Sequence, residues 1–354
     1  IRRFNDAFLY MFGIVLSFTI LGIISSVLIG ASGIRDIASN PTINLFLAGL
    51  LLYFACSLFE WVRIPAPTFQ MRNKSSIFLM AIAFTLTSFT CTVQFLGLVL
   101  VSAANGEWFW PMMGMLVFSI AFASPFFILS FFPFIINHLP KSGSWLLTTK
   151  TSLGILELCA AVKFLSNSDL VWGWGIFTYS SVLLIWALFC FLYVGYNLGI
   201  IGSLKIPSGI RYTMIFIFGS FGIYFTLGAL NVYPINSTIE AYLPPHQKTS
   251  ELIWIDSLEK GLEEARNTGK RVFIDFTGVT CTNCRWMENN MFTQTEIIHE
   301  LRQYVLIKLY TDVGDQKIKN RNYQIERFKT SALPYYVILT NQEDIIDEFP
   351  GLTR

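Results

Sequence analysis

The uneven distribution of charge along the chain constrains its fold more than any other feature. Residues 1 to about 231 are built from long apolar runs, whereas the sequence from about 250 onward is rich in Glu, Lys, Arg, Asp and Asn. Seven runs, near 7–30, 42–62, 76–103, 110–136, 147–165, 172–197 and 212–231, approach or exceed the roughly 20 helical residues that a hydrocarbon layer of about 30 Å demands. With 53% hydrophobic and only 14% charged residues, the chain has too little polar surface to be one water-soluble body. It is expected to fold as a multi-pass α-helical domain in a lipid bilayer, residues 1–231, followed by a linker, 232–250, and a soluble domain, 251–354. The net charge of +2 gives no pointer to nucleic acid, and no nucleic-acid partner is expected.

The loops between the runs carry their cations unequally. Arg2, Arg3, Arg63, Arg72, Lys74, Lys141, Lys150, Lys205 and Arg211 fall in one alternating set, and only Arg35 and Lys163 in the other. Cytoplasmic loops collect Lys and Arg, so the first set is placed in the cytoplasm and the soluble domain on the opposite, extracytoplasmic side. Gly97, Pro111, Pro125, Pro133 and Pro140 interrupt the apolar runs. Such breakers are tolerated at membrane depth where neighbouring helices or a water-lined cavity satisfy the freed backbone, and they also occur as ordinary kinks. Pro234, Pro244 and Pro245 make an extended tether of the linker. The chain starts at Ile1 without Met and stops at Arg354 just after a strand-like run, so it is read as a piece of a longer protein.

The soluble part alternates in pattern. A helix opening at Asp256 with Glu259 as a capping-box partner runs to about Asn267, where Gly269 closes it. A strand at 272–276, helices from 281 to about 292 and near 295–303, a strand at 305–311 and a polar helix near 315–328 follow. Two strands at 335–340 and 345–349, joined by a turn, end the chain. Strands alternating with helices and then a hairpin give a thioredoxin-like order, an α/β fold.

Cys281 and Cys284 stand three apart at the start of the helix that follows the first strand. That spacing allows a disulfide, and the first cysteine lies where unpaired backbone N–H groups and the positive end of the helix dipole stabilise a thiolate. Cys281 is therefore expected to be the attacking thiol and Cys284 the resolving one. Zinc is the competing use of such a pair, but it generally needs four soft ligands, and no second Cys pair or His pair accompanies this one.

The run Phe273-Ile-Asp-Phe-Thr-Gly-Val-Thr-Cys-Thr-Asn-Cys-Arg-Trp-Met-Glu288 resembles the C-terminal domain of DsbD-type thiol:disulfide interchange proteins. Ser331-Ala-Leu-Pro-Tyr335 resembles the loop that carries a cis-proline beside the cysteines of thioredoxin-like domains. The resemblance implies that Pro334 exposes backbone groups to a partner chain, that Asp275 is the buried acid serving the resolving cysteine, and that Glu288 is a second acid one helical turn beyond Cys284. From the residues alone Glu288 equally fits a solvated helix face. Thr280 departs from the family, which usually has Trp there.

The membrane part resembles the same family. Thr87-Ser-Phe-Thr-Cys-Thr92 places a cysteine near the middle of an apolar run, and Leu139-Pro-Lys-Ser-Gly-Ser-Trp145 follows the next one. In the family this membrane cysteine is redox-active, which assigns that role to Cys91. Proline commonly flanks it there, whereas Thr90, Val93 and Gln94 stand near it here. The family core has two inverted three-helix repeats, each led by a cysteine-bearing helix. The partner of Cys91 is accordingly expected upstream of Ile1. Cys56, Cys159 and Cys190 match no family motif and read as small apolar filler.

The resemblance implies a protein-disulfide reductase of a bacterial inner membrane. Cytoplasmic thioredoxin is its electron donor, periplasmic thiol-disulfide proteins are its acceptors, and redox-active disulfides serve in place of any metal or organic cofactor. Two other readings remain open on the residues: a membrane-anchored module holding copper or another soft metal between Cys281 and Cys284, and a thiol oxidase or isomerase.

Overall fold

A computed structural model of the chain describes residues 5–21, 39–62, 76–85, 109–131, 144–200, 208–245 and 252–351. Cys91, Gly97, Pro133 and Pro140 lie outside the described residues. Among the described residues three helices are long and apolar enough to cross a membrane: Pro41–Leu58, Tyr179–Leu198 and Arg211–Ala229. Shorter apolar helices, Asn5–Leu21, Ser76–Thr85 and Met113–Pro125, fall in three more of the expected runs. The run near 147–165 differs. It belongs to the helix Ser144–Trp172, and Lys150, Glu157 and Lys163 make it more polar than a plain span.

The chain divides into two compact units, the first formed by residues 1–38, 53–154 and 205–210. In it, Ile14 and Phe18 from one helix, Ala81 from a second and Ala123 from a third make a buried cluster. Phe18 meets Phe118 and Phe122 edge-on at 5.7 and 5.3 Å. A Cβ on Gly13 would lie 2.7 Å from the Ala81 Cβ, so a glycine lets these two helices touch. Pro125 sits inside the helix Phe109–Phe131.

The second unit holds residues 39–52, 155–204 and 211–354. Its membrane-type helices are joined by apolar packing, including Ala48, Leu51, Ala161 and Phe164, and by buried polar links. Asn167 Nδ2 donates to Asn44 Oδ1 at 3.2 Å, and Ser168 Oγ donates to the Pro41 carbonyl at 2.8 Å. Asp169 accepts from the Gly175 and Phe177 N–H groups at 2.7 and 2.5 Å and fixes the turn that leads into Tyr179–Leu198. From Val232 to Pro245, the described part of the expected linker, the chain is not the extended tether that its prolines imply. Asn236 caps a short helix, Ser237–Glu240, and Ile235 and Leu243 are buried in a cluster with Val162, Val182, Leu183 and Ala229. The physical reason is apolar content: these side chains have a hydrophobic wall to cover, and that outweighs the stiffness of nearby prolines.

The soluble part forms a four-stranded sheet in the order β2-β1-β3-β4. β1 is Val272–Thr277, β2 Val305–Tyr310, β3 Tyr335–Leu339 and β4 Ile345–Pro350. β1 and β2 are parallel, while β3 runs antiparallel to β1 and to β4. Ile274 and Phe276, with Ile307, Leu309, Val337 and Leu339, build the main core beneath Ala265 and Phe328, which come from the helices Leu258–Thr268 and Lys317–Phe328. Strand alternation sends Phe273 elsewhere, to an aromatic cluster with Trp254, Phe292, Tyr304 and Tyr336. The first helix begins one residue later than its capping pattern implies. Ser257 is the N-cap, and its hydroxyl is spent on Glu259 rather than on a backbone N–H. Gly269 closes the helix in the left-handed conformation, φ 69°.

Candidate functional site

β1 delivers the chain into a three-residue turn, Gly278 to Thr280, and then into the helix Thr282–Asn290. Cys281 is the N-cap of that helix. Its Sγ accepts the Cys284 N–H at 3.2 Å, so the sulfur takes the place of a capping oxygen and satisfies a backbone donor that the helix start leaves open. The two cysteines are joined in a disulfide with Cα atoms 5.3 Å apart. Their exposure is unequal. Cys284 is only 1% exposed and packs into the main core, whereas Cys281 is half-buried at its edge.

The Leu333–Pro334 peptide bond is cis. The loop that contains it is tied by Gln324 Nε2, which donates to the Ala332 carbonyl at 2.8 Å. Its Leu333 side chain reaches the turn before Cys281, where a Cβ on Gly278 would meet Leu333 Cδ1 at 3.2 Å. The structure therefore brings the Pro334 loop and the cysteine turn together.

Asp275 lies in the sheet, 1% exposed, and neither carboxylate oxygen has a hydrogen-bond partner. Strand register places Lys308 beside it on β2 and Tyr336 beside it on β3. Burial pushes the Asp275 carboxyl up to about 7; Lys308 and Arg285 pull it down and Glu288 adds to the rise. Burial in low dielectric penalises the ion and here outweighs the attraction of the two cations.

Glu288 is not on a solvated helix face. Arg285 meets it at 2.8 and 3.1 Å, and Lys308 Nζ meets it at 3.0 Å. Lys308 also stands over the Trp254 ring, 4.8 Å from its centre. Burial opposes the charge on Arg285 and on Lys308, but Glu288 foremost, with Asp275 and Tyr310, outweighs it and raises both groups. The result is a largely buried cluster of two acids and two bases drawn from β1, β2 and the helix that carries Cys284.

Lys308 and Arg285 are additions that the sequence reading did not single out. A signal for Lys308 is present: β1 is Val-Phe-Ile-Asp-Phe-Thr and β2 is Val-Leu-Ile-Lys-Leu-Tyr, each with one charge at its fourth position. Asp312 is a third addition. Its carboxylate accepts the Val279 N–H at 3.1 Å, the Thr280 N–H at 3.1 Å and the Thr280 hydroxyl at 3.0 Å. Nothing in the local sequence points to it. Among the described residues no group of three or more His, Cys, Asp or Glu is gathered as a metal site.

Residues 253–341 match a family model described as thioredoxin-like. Over most of its length the chain is also similar to curated thiol:disulfide interchange proteins DsbD. The protein from Actinobacillus pleuropneumoniae serotype 5b is 24% identical over 352 residues, which cover 93% of this chain and 55% of that protein. Those from Salmonella choleraesuis and Escherichia coli K12 are each 24% identical, over 85% and 87% of this chain and 52% and 54% of theirs. The chain spans about half the length of the curated relatives it matches.

Proposed function

We propose that this chain, DsbD-like over most of its length and thioredoxin-like from residue 253 to 341, passes electrons from a cytoplasmic thioredoxin through membrane thiols to Cys281 and Cys284, which reduce extracytoplasmic protein disulfides. The observation that carries this reading is the unequal setting of the two cysteines: Cys281 accessible at a helix N-cap, Cys284 buried behind it. A nucleophile needs access and a stabilised thiolate; a resolving thiol needs only to reach its neighbour.

On this reading the reduced Cys281 thiolate attacks one sulfur of a client disulfide. An S–S bond forms between Cys281 and the client, the client's own S–S bond breaks, and its second sulfur leaves as a thiolate that takes up a proton. The Cys284 thiol then gives its proton to Asp275 and attacks the Cys281 sulfur. The internal disulfide forms, and the client leaves with both sulfurs reduced. Asp275 suits this task because it is buried, its oxygens are unengaged and its carboxyl lies near neutrality. Glu288, already engaged by Arg285 and Lys308, holds those cations in place beside it. The cis-Pro334 loop, adjoining the turn before Cys281, offers its backbone to the client chain. Two electrons from Cys91 and its partner restore the dithiol.

The test is a trapping experiment. Cys284→Ser leaves the attacking thiol without its resolver, so mixed disulfides with client proteins accumulate on the full chain in cells, while Cys281→Ser gives none. The opposite pattern would reverse the two roles.

A further inference from the structure

Asp312 stands two residues past the end of β2, next to Thr311, whose N–H donates to the Thr277 carbonyl at 3.1 Å. That bond holds it beside the end of β1. From there its two oxygens take up three donors of the turn that presents Cys281: the N–H groups of Val279 and Thr280 and the Thr280 hydroxyl, all at 3.0 to 3.1 Å. The fit is close. A Cβ on Gly278 would lie 2.7 Å from Asp312 Oδ2 and 3.0 Å from its Cγ, so only glycine lets the carboxylate reach the turn. Asp312 is itself 9% exposed. The Cys281 N–H closes the turn on the Gly278 carbonyl at 3.2 Å. A buried acid that uses both oxygens on the residues immediately before a nucleophile is a built feature, and it belongs to neither the Asp275 cluster nor the Pro334 loop.

We infer that Asp312 is a positioning residue that fixes the turn before Cys281 and, through its charge, keeps the Cys281 thiol less acidic and the disulfide harder to reduce. A fixed negative charge near a sulfur disfavours the thiolate. A less stable thiolate makes the dithiol a better reductant, the reverse of a strong oxidant, whose reduced form is stabilised. The other charged groups on the cysteine helix and the elements packed with it are Arg285 and Glu288 on that helix, Asp275 and Lys308 on β1 and β2, and Glu240 on the short helix Ser237–Glu240. Lys163, on the long helix, lies within electrostatic reach of Arg285. Among these, Asp312 is the group hydrogen-bonded to the residue next to Cys281. Thr280 supplies two of its three donors, so the two residues form one device.

The inference rests on the reductase reading, but its test does not require client turnover. In the full chain carrying Cys284→Ser, alkylation of Cys281 by iodoacetamide is followed against pH by mass spectrometry of the Cys281 peptide. Asp312→Asn removes the charge and, because its amide nitrogen cannot accept, at least one of the three hydrogen bonds, so the midpoint falls and alkylation at pH 7 rises about three- to tenfold, tenfold corresponding to one pH unit in thiolate. Thr280→Val loses one hydrogen bond and keeps the charge, so its midpoint matches that of the parent. An Asp312→Asn midpoint equal to the parent's overturns the inference, as does a Thr280→Val shift equal to that of Asp312→Asn. Failure of the reductase reading shows separately, as absence of disulfide reduction by the unsubstituted protein.

Discussion

Asp275 carries an unusual energetic burden for a residue in a sheet core, because it is buried with both oxygens unengaged. With its carboxyl raised from 3.8 to about 7, the folded chain keeps a proton that the unfolded chain has already released over that interval. Stability therefore falls as pH rises through this window, with the full penalty above about pH 7, opposite to the usual behaviour of a carboxylate held by cations. Asp275→Asn is expected to raise the melting temperature of the soluble part at pH 8 and to change it little at pH 4. Melting of the full chain, followed by proteolysis of residues 252–351, reads this difference; an equal effect at both pH values would remove the argument. Lys308 lowers the Asp275 carboxyl, so in Lys308→Met, with Cys284 present, the pH midpoint for resolution of a mixed disulfide on Cys281 moves upward. Stopped-time thiol labelling checks that shift.

At the level of elements, the site depends on how β1 and β2 are aligned. They pair parallel and in register from Val272 opposite Val305, so the single acid of one strand comes to lie beside the single base of the other. A slip of one residue leaves the two charges on opposite faces of the sheet. The covering helix Leu258–Thr268 approaches β2 at Gly261, where a Cβ would lie 2.3 Å from Ile307 Cδ1. Gly261→Ala is expected to cost about 1–3 kcal/mol, the usual range for overpacking a filled core. Denaturant unfolding of the full chain, observed through protection of the soluble part, measures it. The site is altered little, because Gly261 lies on the main-core side of the sheet, against Ile307.

For the whole molecule, the consequential question is whether electrons pass through the membrane helices. On the proposed reading Cys91→Ala leaves the soluble part folded and Cys281–Cys284 permanently oxidised in cells. Alkylation-shift electrophoresis of the trapped thiols reports the redox state. Were the pair to stay reduced in that variant, the helices would be an anchor and not a conduit. Three described helices are long and apolar enough for a membrane, and the buried polar links between Asn44 and Asn167 and between Ser168 and Pro41 tie one of them, Pro41–Leu58, to the longer helix Ser144–Trp172.

Periodicity and composition by themselves determined the helical, membrane-type character of the first part, the order of strands and helices in the second, and the cysteine pair at a helix start. These are local properties: apolar runs, alternation and a cap position are set by neighbours a few residues apart. Asp275 was legible too, because an acid in an apolar strand stands out without any partner in view. Tertiary structure alone decided what surrounds these residues. It engaged Glu288, which the residues alone leave between a site acid and a solvated face, in two ion pairs, folded Ile235 and Leu243 of the supposed tether against a helical wall, and brought Asp312 onto the turn at Thr280. Each of these depends on contacts between segments far apart in the chain, where strand register and packing fix the partner and no spacing in the sequence records it.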